Sequence, residues 1–220
     1  LIGRGGKTIN ALKTLLNLNF KMAEEELLVP LKEYLRVGIH IGTKFRTKYM
    51  APFIYKVRPD GLSVLNVETI NQRLKVASNL ISQFNPEEIL VICRRENGWK
   101  AAEMFSELTG IRVFAGRYPP GILTNPNLDS FIEAKLVLVA DPWPDRNVVN
   151  DAVKMGIPVI ALCDTSNDSI NIDLVIPCNN KGKKSLGLIF YILTKAYLKN
   201  RKIIKSEKEL KYGLEEFTAE

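Results

Sequence analysis

Five short apolar runs recur in this 220-residue chain from residue 89 onward. Segments with helical spacing of apolar residues, notably 98–108 and 147–155, separate most of these runs. Strands that alternate with helices are typical of a parallel sheet that carries helices on its faces. The five runs are Ile89–Cys93, Arg112–Ala115, Leu136–Ala140, Pro158–Cys163 and Leu174–Ile176. The pattern predicts an α/β fold with a three-layer, doubly wound, mainly parallel five-stranded sheet, and it favours the flavodoxin-like strand order without determining it.

The sequence before these runs predicts an N-terminal helix and a β-hairpin. Residues 27–37 have apolar side chains at helical spacing, with a proline in the first turn, where its missing N–H costs little, and Gly38 at the end. Residues 53–67 alternate around a Pro-Asp-Gly turn, whose chemistry indicates a hairpin. An amphipathic helix is expected over 68–84, since its apolar residues fall on one side.

The chain divides into three parts. With 46% hydrophobic residues, it is long enough for one well-packed α/β domain, which we assign to residues 22–205. Residues 1–21 form a basic extension of uncertain origin. Residues 206–220 form a C-terminal tail that mixes charges and lacks sustained apolar spacing, so we expect this tail to be mobile or to become ordered only on a partner.

Basic residues are segregated rather than spread along the chain. Residues 1–21 contain four basic side chains, 36–58 contain six and 179–205 contain eight, and none of the three runs contains an acid. Residues 60–178, in contrast, contain ten basic and fifteen acidic side chains. A solubilising surface does not require this separation, whereas phosphates are bound by local clusters of cations. The charge pattern therefore favours a nucleic-acid partner.

Polar side chains in these basic runs and in two turns are candidate contacts to an RNA backbone. Cations at alternate positions over 44–48 fall on one side of an extended loop, and phosphate contacts of this kind position a protein without reading bases. Two asparagines before the last helix can donate to and accept from backbone or 2′-hydroxyl groups. The lysines after them lie where a helix N-terminus already favours anions. The candidate RNA-binding residues are Lys44, Arg46, Lys48, Arg58, Arg117, Asn179, Asn180, Lys181, Lys183, Lys184, Arg201 and Lys202.

The alternative function is a nucleotide- or metal-binding α/β enzyme that uses the aspartates at the strand ends. Such an enzyme would need a glycine fingerprint after its first strand, but the segment that follows Cys93 contains a single glycine. Asp141, Asp145, Asp164 and Asp168 would have to gather around Mg²⁺. Asp141 is explained more simply as a turn residue, and Asp145 as the N-cap of the helix that follows it. We therefore expect no catalytic residues, no metal, no cofactor and no small-molecule substrate.

The single histidine and the three cysteines do not form a reactive set. His40 lies in an apolar segment, where a lone histidine is more often a hydrogen-bonded structural residue than a base or a ligand. The cysteines lack the pair spacing of metal sites, and an odd number of them without a signal peptide favours a reducing cytoplasm. No apolar run approaches the roughly 18–20 residues of a membrane span, so no membrane partner is expected.

Six segments spread over about residues 27–201 are jointly highly specific. The segments are GIHIGT (38–43), YKVRPDG (55–61), GRYPPGILTNP (116–126), DPWPDR (141–146), GIPVIALCDT (156–165) and IPCNNKGKKS (176–185). Together, and in this order, they resemble the universal small-subunit ribosomal protein S-two family in its archaeal form. The resemblance implies a three-layer α/β fold and a non-enzymatic, structural role in the ribosome. It also implies small-subunit ribosomal RNA and neighbouring ribosomal proteins, around the head–body junction, as partners.

Residues 1–21 lie outside this resemblance. Their segment IGRGGKTI is similar to the G-x-x-G loop with which KH domains clamp a nucleic-acid backbone. A complete KH domain needs a sheet that 21 residues cannot supply, so the origin of the segment stays open among a basic extension that orders on RNA, an upstream fragment and a remnant of a fused domain. The further possible RNA contacts are Gly3, Arg4, Gly5, Gly6 and Lys7.

Overall fold

The computed structural model describes residues 27–204 and 212–218 of the chain. The helices of this part are α1 Leu31–Val37, α2 Val67–Ile81, α3 Trp99–Thr109, α4 Arg146–Met155, α5 Lys183–Asn200 and α6 Leu214–Thr218. The strands are β1 Ile54–Val57, β2 Ser63–Leu65, β3 Ile89–Cys93, β4 Arg112–Ala115, β5 Leu136–Val139, β6 Val159–Cys163 and β7 Leu174–Pro177. None of these helices has both the length and the apolar character that crossing a bilayer requires.

Strands β3 to β7 form one sheet in the order β4-β3-β5-β6-β7, and every neighbouring pair is parallel. Counted along the chain, this is the order 2-1-3-4-5 of flavodoxin-like sheets. The predicted doubly wound sheet is confirmed, and the strand bounds differ from the predicted ones by at most one residue. Because the chain winds in opposite directions from β3, the topological switch point lies between the carboxyl ends of β3 and β5.

The two faces of the sheet bury alternate strand residues in two apolar cores. Val91 and Leu138 belong to the core that includes α2, α3 and α5. Their neighbours Ile92 and Val139 belong to the second core, with α4 and the long connection between β4 and β5. Because strands covered on both faces have no solvent-facing side, their sequences are continuous apolar runs. The three layers predicted from the sequence are therefore present.

The predicted N-terminal helix and hairpin are also present. Helix α1 begins after Pro30 and ends at Gly38, which adopts the left-handed conformation with φ of 71°. The antiparallel pair β1–β2 turns at Gly61, whose φ is 85° and whose N–H donates to the carbonyl oxygen of Arg58 over 2.9 Å. The bridge between Ile41 and Val64 extends this small sheet toward the basic loop that follows α1.

The C-terminal helix α6 packs against α5, contrary to the predicted mobile tail. Phe217 is buried, and its ring meets that of Tyr191 edge-on with 5.7 Å between centroids. Tyr212 donates to Glu107 of α3 over 3.2 Å. The helices approach closely at Gly187, where an added Cβ would lie 2.5 Å from the carbonyl oxygen of Phe217. The prediction was wrong for this helix because a few separate contacts, which include the packing of Tyr212 and Leu214 against the core, hold it in place without a sustained apolar stripe.

Candidate RNA-binding surface

The basic loop between α1 and β1 is fixed to the carboxyl edge of the parallel sheet. Thr165, just after β6, accepts the backbone N–H of Thr43 with its hydroxyl over 2.9 Å and that of Thr47 with its carbonyl oxygen over 3.0 Å. The Thr47 hydroxyl donates to the carbonyl oxygen of Asn167 over 2.7 Å. These bonds place a run of exposed cations beside the strand ends. The cations are Lys44, Arg46 and Lys48.

An ion pair occupies the switch point of the sheet. Arg95 follows β3 and Asp141 follows β5, and the guanidinium donates to Oδ2 of the carboxylate from Nε over 2.8 Å and from Nη2 over 2.5 Å. Oδ1 of Asp141 accepts the Trp143 N–H over 3.1 Å and the Asn167 amide over 3.0 Å. Sheets of this type place small ligands in the crevice at the switch point. Here the ion pair of Arg95 and Asp141 lines that crevice.

A second ion pair lies after β6. Nζ of Lys181 is 3.0 Å from Oδ2 of Asp164 and 3.3 Å from the Ser166 hydroxyl. The Asp164 side chain is 2% exposed, whereas that of Lys181 is 41% exposed. Lys181 was predicted to be a freely exposed RNA contact. It instead compensates a buried carboxylate, which leaves only part of its ammonium group for a ligand.

The two asparagines before α5 use their side chains inside the protein. Asn180 is fully buried and donates its amide to the carbonyl oxygen of Leu162 over 2.9 Å and to Asn167 over 3.1 Å. Asn179 accepts the N–H groups of Lys181 and Gly182 over 3.1 and 3.0 Å. A buried amide does not reach an RNA 2′-hydroxyl, so Asn180 has a structural role in place of the predicted contact. Asn179 shapes the turn that begins α5.

The remaining candidates at this end of the molecule are exposed to different degrees. Lys183 and Lys184 occupy the first turn of α5 and make no ion pair with any residue in 27–204 or 212–218. Arg117 is exposed just after β4, whose carboxyl end lies at the same edge. Arg58, in the hairpin turn, is 3.5 Å from Asp60, and both side chains are about half exposed, so this pair is weak.

Arg201 and Lys202 lie at the opposite edge of the sheet. Arg201 donates to the side chain of Asn85, which precedes the amino end of β3, over 3.0 Å. The 18 residues of α5 separate this position from Lys183 by about 27 Å. The structure therefore divides the predicted residues between a carboxyl-edge group and an amino-edge pair. The possible contacts Gly3, Arg4, Gly5, Gly6 and Lys7 lie outside the described residues.

The carboxyl edge includes an aromatic pair and an arginine that sequence analysis did not identify. A cavity of about 460 Å³ is lined there by Arg46, Arg95 and Lys181 together with Phe45 and Trp143. Phe45 is 80% and Trp143 64% exposed. The position of Phe45 between two cations of the basic loop was a usable signal. The sequence contains no comparable signal for Arg95, because its pairing with Asp141 depends on two strands that are distant in sequence.

The strand-end aspartates do not gather into a metal site. Within 27–204 and 212–218, no three histidine, cysteine, aspartate or glutamate side chains are close enough to hold an ion. Asp145 precedes α4 but makes no capping hydrogen bond, so the predicted capping role is wrong. Its side chain is buried, and Oδ2 has no hydrogen-bond partner in the described part of the chain. Burial raises the pKa of Asp145 to about 6, against the attraction of Arg94.

His40 supports the hairpin. Its carbonyl oxygen accepts the Leu65 N–H over 2.8 Å. Burial lowers the pKa of its imidazole, and Nδ1 lacks a partner among the residues that the structure describes. A mainly neutral imidazole at this place adds no charge to the basic edge.

Comparison with known proteins shows the family of this chain. Residues 130–200 match the family model described as Ribosomal protein S2. The small ribosomal subunit protein uS2 of Nanoarchaeum equitans is 46% identical over 190 residues, which cover 86% of this chain and 94% of that protein. The protein of the same name from Picrophilus torridus is 44% identical, over 89% of this chain and 98% of that protein. The one from Saccharolobus solfataricus is 42% identical over 97% of this chain and 93% of that protein, so its alignment extends into residues 1–21. Such identity over most of both chains shows that this chain belongs to the ribosomal protein S2 family.

Proposed function

We propose that this chain is a structural component of the small ribosomal subunit in the cytoplasm, rather than an enzyme, and that it binds ribosomal RNA through the carboxyl edge of its sheet. The proposal includes contacts with neighbouring ribosomal proteins around the junction of the subunit's head and body. Family membership supports it, because the relatives are named small ribosomal subunit protein uS2. The arrangement of charge on the carboxyl edge supports the RNA contact independently.

The observation that carries the RNA contact is a group of cations without acidic partners, held on anchored segments. The cations of the basic loop and of the first turn of α5 make no ion pair with any described residue. Hydrogen bonds to Thr165 and Asn167 fix the loop, so binding does not have to order it. Neighbouring cations with no internal partner attract the phosphates of a nucleic-acid backbone. The group consists of Lys44, Arg46, Lys48, Lys183 and Lys184.

A second surface, on and beside α4, suits contacts with proteins. Val153 and Met155 of α4 are about half exposed. Ile170 is 57% exposed and lines a cavity against the same helix. Exposed apolar side chains beside a cavity, here Ile170 and Trp143, are typical of protein interfaces. We therefore assign the contacts with neighbouring ribosomal proteins to this surface.

The affinity of the full-length chain for small-subunit ribosomal RNA is expected to fall steeply with salt. About five phosphate contacts give a slope near −4 for the logarithm of the binding constant against that of the salt concentration, so Kd rises roughly 100- to 500-fold between about 50 and 200 mM salt. Filter binding across this range measures the slope. A Kd that changes less than about threefold contradicts an interface of this size.

Replacing Lys183 and Lys184 together with alanine is expected to weaken RNA binding at least tenfold. The salt slope is expected to become shallower by nearly two, because two phosphate contacts are lost. The fold is expected to remain intact, since neither lysine pairs with a buried acid. Lys181 is left unchanged because of its bond to Asp164. Filter binding gives the affinity and slope, and thermal unfolding gives the stability.

The matched control removes two positive charges from the amino edge, with Arg112→Ala and Lys135→Ala. Both positions are exposed, and the ion pair that Lys135 makes with Glu88 is on the surface, so its loss costs little. The control is expected to change affinity less than about threefold. Equal losses in the two double variants would show that only net charge matters. A larger loss on removing residues 1–21 would place the principal RNA contact in that segment.

A further inference from the structure

We propose that the cavity at the carboxyl edge binds one unpaired nucleotide, whose base stacks on Trp143 and Phe45 and whose phosphate is bound by Arg46, Arg95 and Lys181. This inference rests on the proposed function and specifies its ligand, which is a single-stranded or bulged RNA residue rather than the backbone of a duplex. The cavity lies between the basic loop and the loops that follow β5 and β6. Its volume of about 460 Å³ falls within the roughly 300–1,000 Å³ of cavities that take small ligands.

The two aromatic rings are exposed to solvent rather than packed in the core. Phe45 is 80% exposed in a loop that is otherwise fixed by hydrogen bonds, and Trp143 is 64% exposed after β5. Neither ring stacks on another aromatic ring in the described part of the chain. The guanidinium of Arg146 lies 5.4 Å from the centre of the Trp143 ring and contacts it. Exposed rings of this kind are sequence-tolerant platforms for bases.

The cations around the cavity are held in position by buried acids. Arg95 donates two of its five N–H groups to Asp141 and remains 37% exposed. Lys181 uses two of its three donors on Asp164 and Ser166. Each side chain therefore keeps donors for a phosphate. Arg46 makes no ion pair with any described residue and supplies the uncompensated charge.

This combination favours an unpaired nucleotide over a duplex. A duplex offers phosphates to the rim of the cavity but keeps its bases stacked, so it cannot use the rings. Stacking together with phosphate contacts is the way in which single strands are bound without sequence preference.

The test compares two RNAs on the full-length chain at about 100 mM salt, which keeps phosphate contacts measurable. One probe is a single strand of about 12 uridines, and the other is a blunt RNA duplex of about 12 base pairs. The variants Trp143→Ala and Phe45→Ala are each expected to weaken single-strand binding roughly 5- to 50-fold and duplex binding less than about twofold. Trp143→Phe keeps a ring and is expected to retain affinity within about threefold. Tyr55→Ala, which removes a ring that is 74% exposed outside the cavity, is expected to change neither affinity.

The outcomes separate this inference from the proposed function. If both RNAs bind with salt-sensitive affinities that Trp143→Ala and Phe45→Ala leave unchanged, the nucleotide site is refuted and the backbone contact stands. Equal losses on the single strand and the duplex also refute it, because the rings would then act only through the shape of the surface. If neither RNA binds at any salt concentration, the proposed function and this inference fail together.

Discussion

Replacing Arg95 with alanine is expected to lower the free energy of unfolding by about 3 kcal/mol. The side chain of Asp141 is 1% exposed, and the guanidinium supplies its counter-charge. Removing that partner leaves a buried carboxylate with two neutral donors, the Trp143 N–H and the Asn167 amide. An uncompensated buried charge costs far more than the loss of a surface ion pair. Urea unfolding of the full-length chain without RNA, followed by circular dichroism, measures the change.

Arg117→Ala is the matched control, since this arginine also follows a strand of the sheet, is exposed and makes no ion pair with any described residue. Its loss is expected to cost less than about 1 kcal/mol. A double-mutant cycle of Arg95→Ala with Asp141→Asn isolates the pair, and a coupling energy of about 2 kcal/mol is expected. A coupling near zero would mean that solvent already screens the pair and that Arg95 does not support the fold.

Two buried acids fix the positions of two cations at the carboxyl edge. Asp141 and Asp164 neutralise Arg95 and Lys181 but also hold them at the rim of the surface. The excess positive charge therefore comes from the basic loop and the first turn of α5. The proposed RNA contact is therefore expected to be coupled to fold stability, because the residues that tie the loops together also line the cavity.

The sheet was predictable because four of its five strands are buried on both faces. Strands such as Ile89–Cys93 and Val159–Cys163 are fully buried, so nearly every residue in them is apolar and the runs stand out from the helices. The glycines that end α3 and α4 were equally visible, since both adopt the left-handed conformation. These features are local, and a single sequence displays them directly.

The surface was less predictable because its chemistry depends on pairs that are distant in sequence. Exposed loop cations such as Lys44 and Arg46 follow from local charge alone. Lys181 has the same local signature, but its bond to Asp164 depends on how the loops after β6 and β7 meet. Asn180 is similarly buried, and its amide donates to the Leu162 carbonyl oxygen and to the Asn167 side chain. Composition shows that a segment is basic but not which of its side chains the fold has already used.

Replacing Asp145 with asparagine is expected to stabilise the protein at pH 7 by about 2 kcal/mol. Burial raises the pKa of this carboxyl from 3.8 to about 6, with Arg94 and Arg95 opposing the shift and Asp141 adding to it. Between about pH 4 and pH 6 the folded chain thus holds a proton that the unfolded chain has lost. Stability from this group is greatest at low pH and falls as the pH rises through 6. Asparagine stays neutral throughout, so the variant avoids the cost of ionising a buried acid.

Urea unfolding of the wild type and the variant between pH 4 and pH 7.5 tests this prediction through the difference between the two curves, in which other titrating groups cancel. The difference is expected to be near zero at about pH 4 and to grow to about 2 kcal/mol by pH 7. Asp168→Asn, at an exposed aspartate in the loop after β6, is expected to give a flat difference within about 0.5 kcal/mol. Two outcomes would contradict the prediction: a difference in unfolding free energy between Asp145→Asn and the wild type that does not change with pH, or a variant that loses stability relative to the wild type as the pH rises. Either would mean that the arginines after β3 fully compensate the ionised carboxylate. Asp145 would then be a third acid that holds the cations of the carboxyl edge in place.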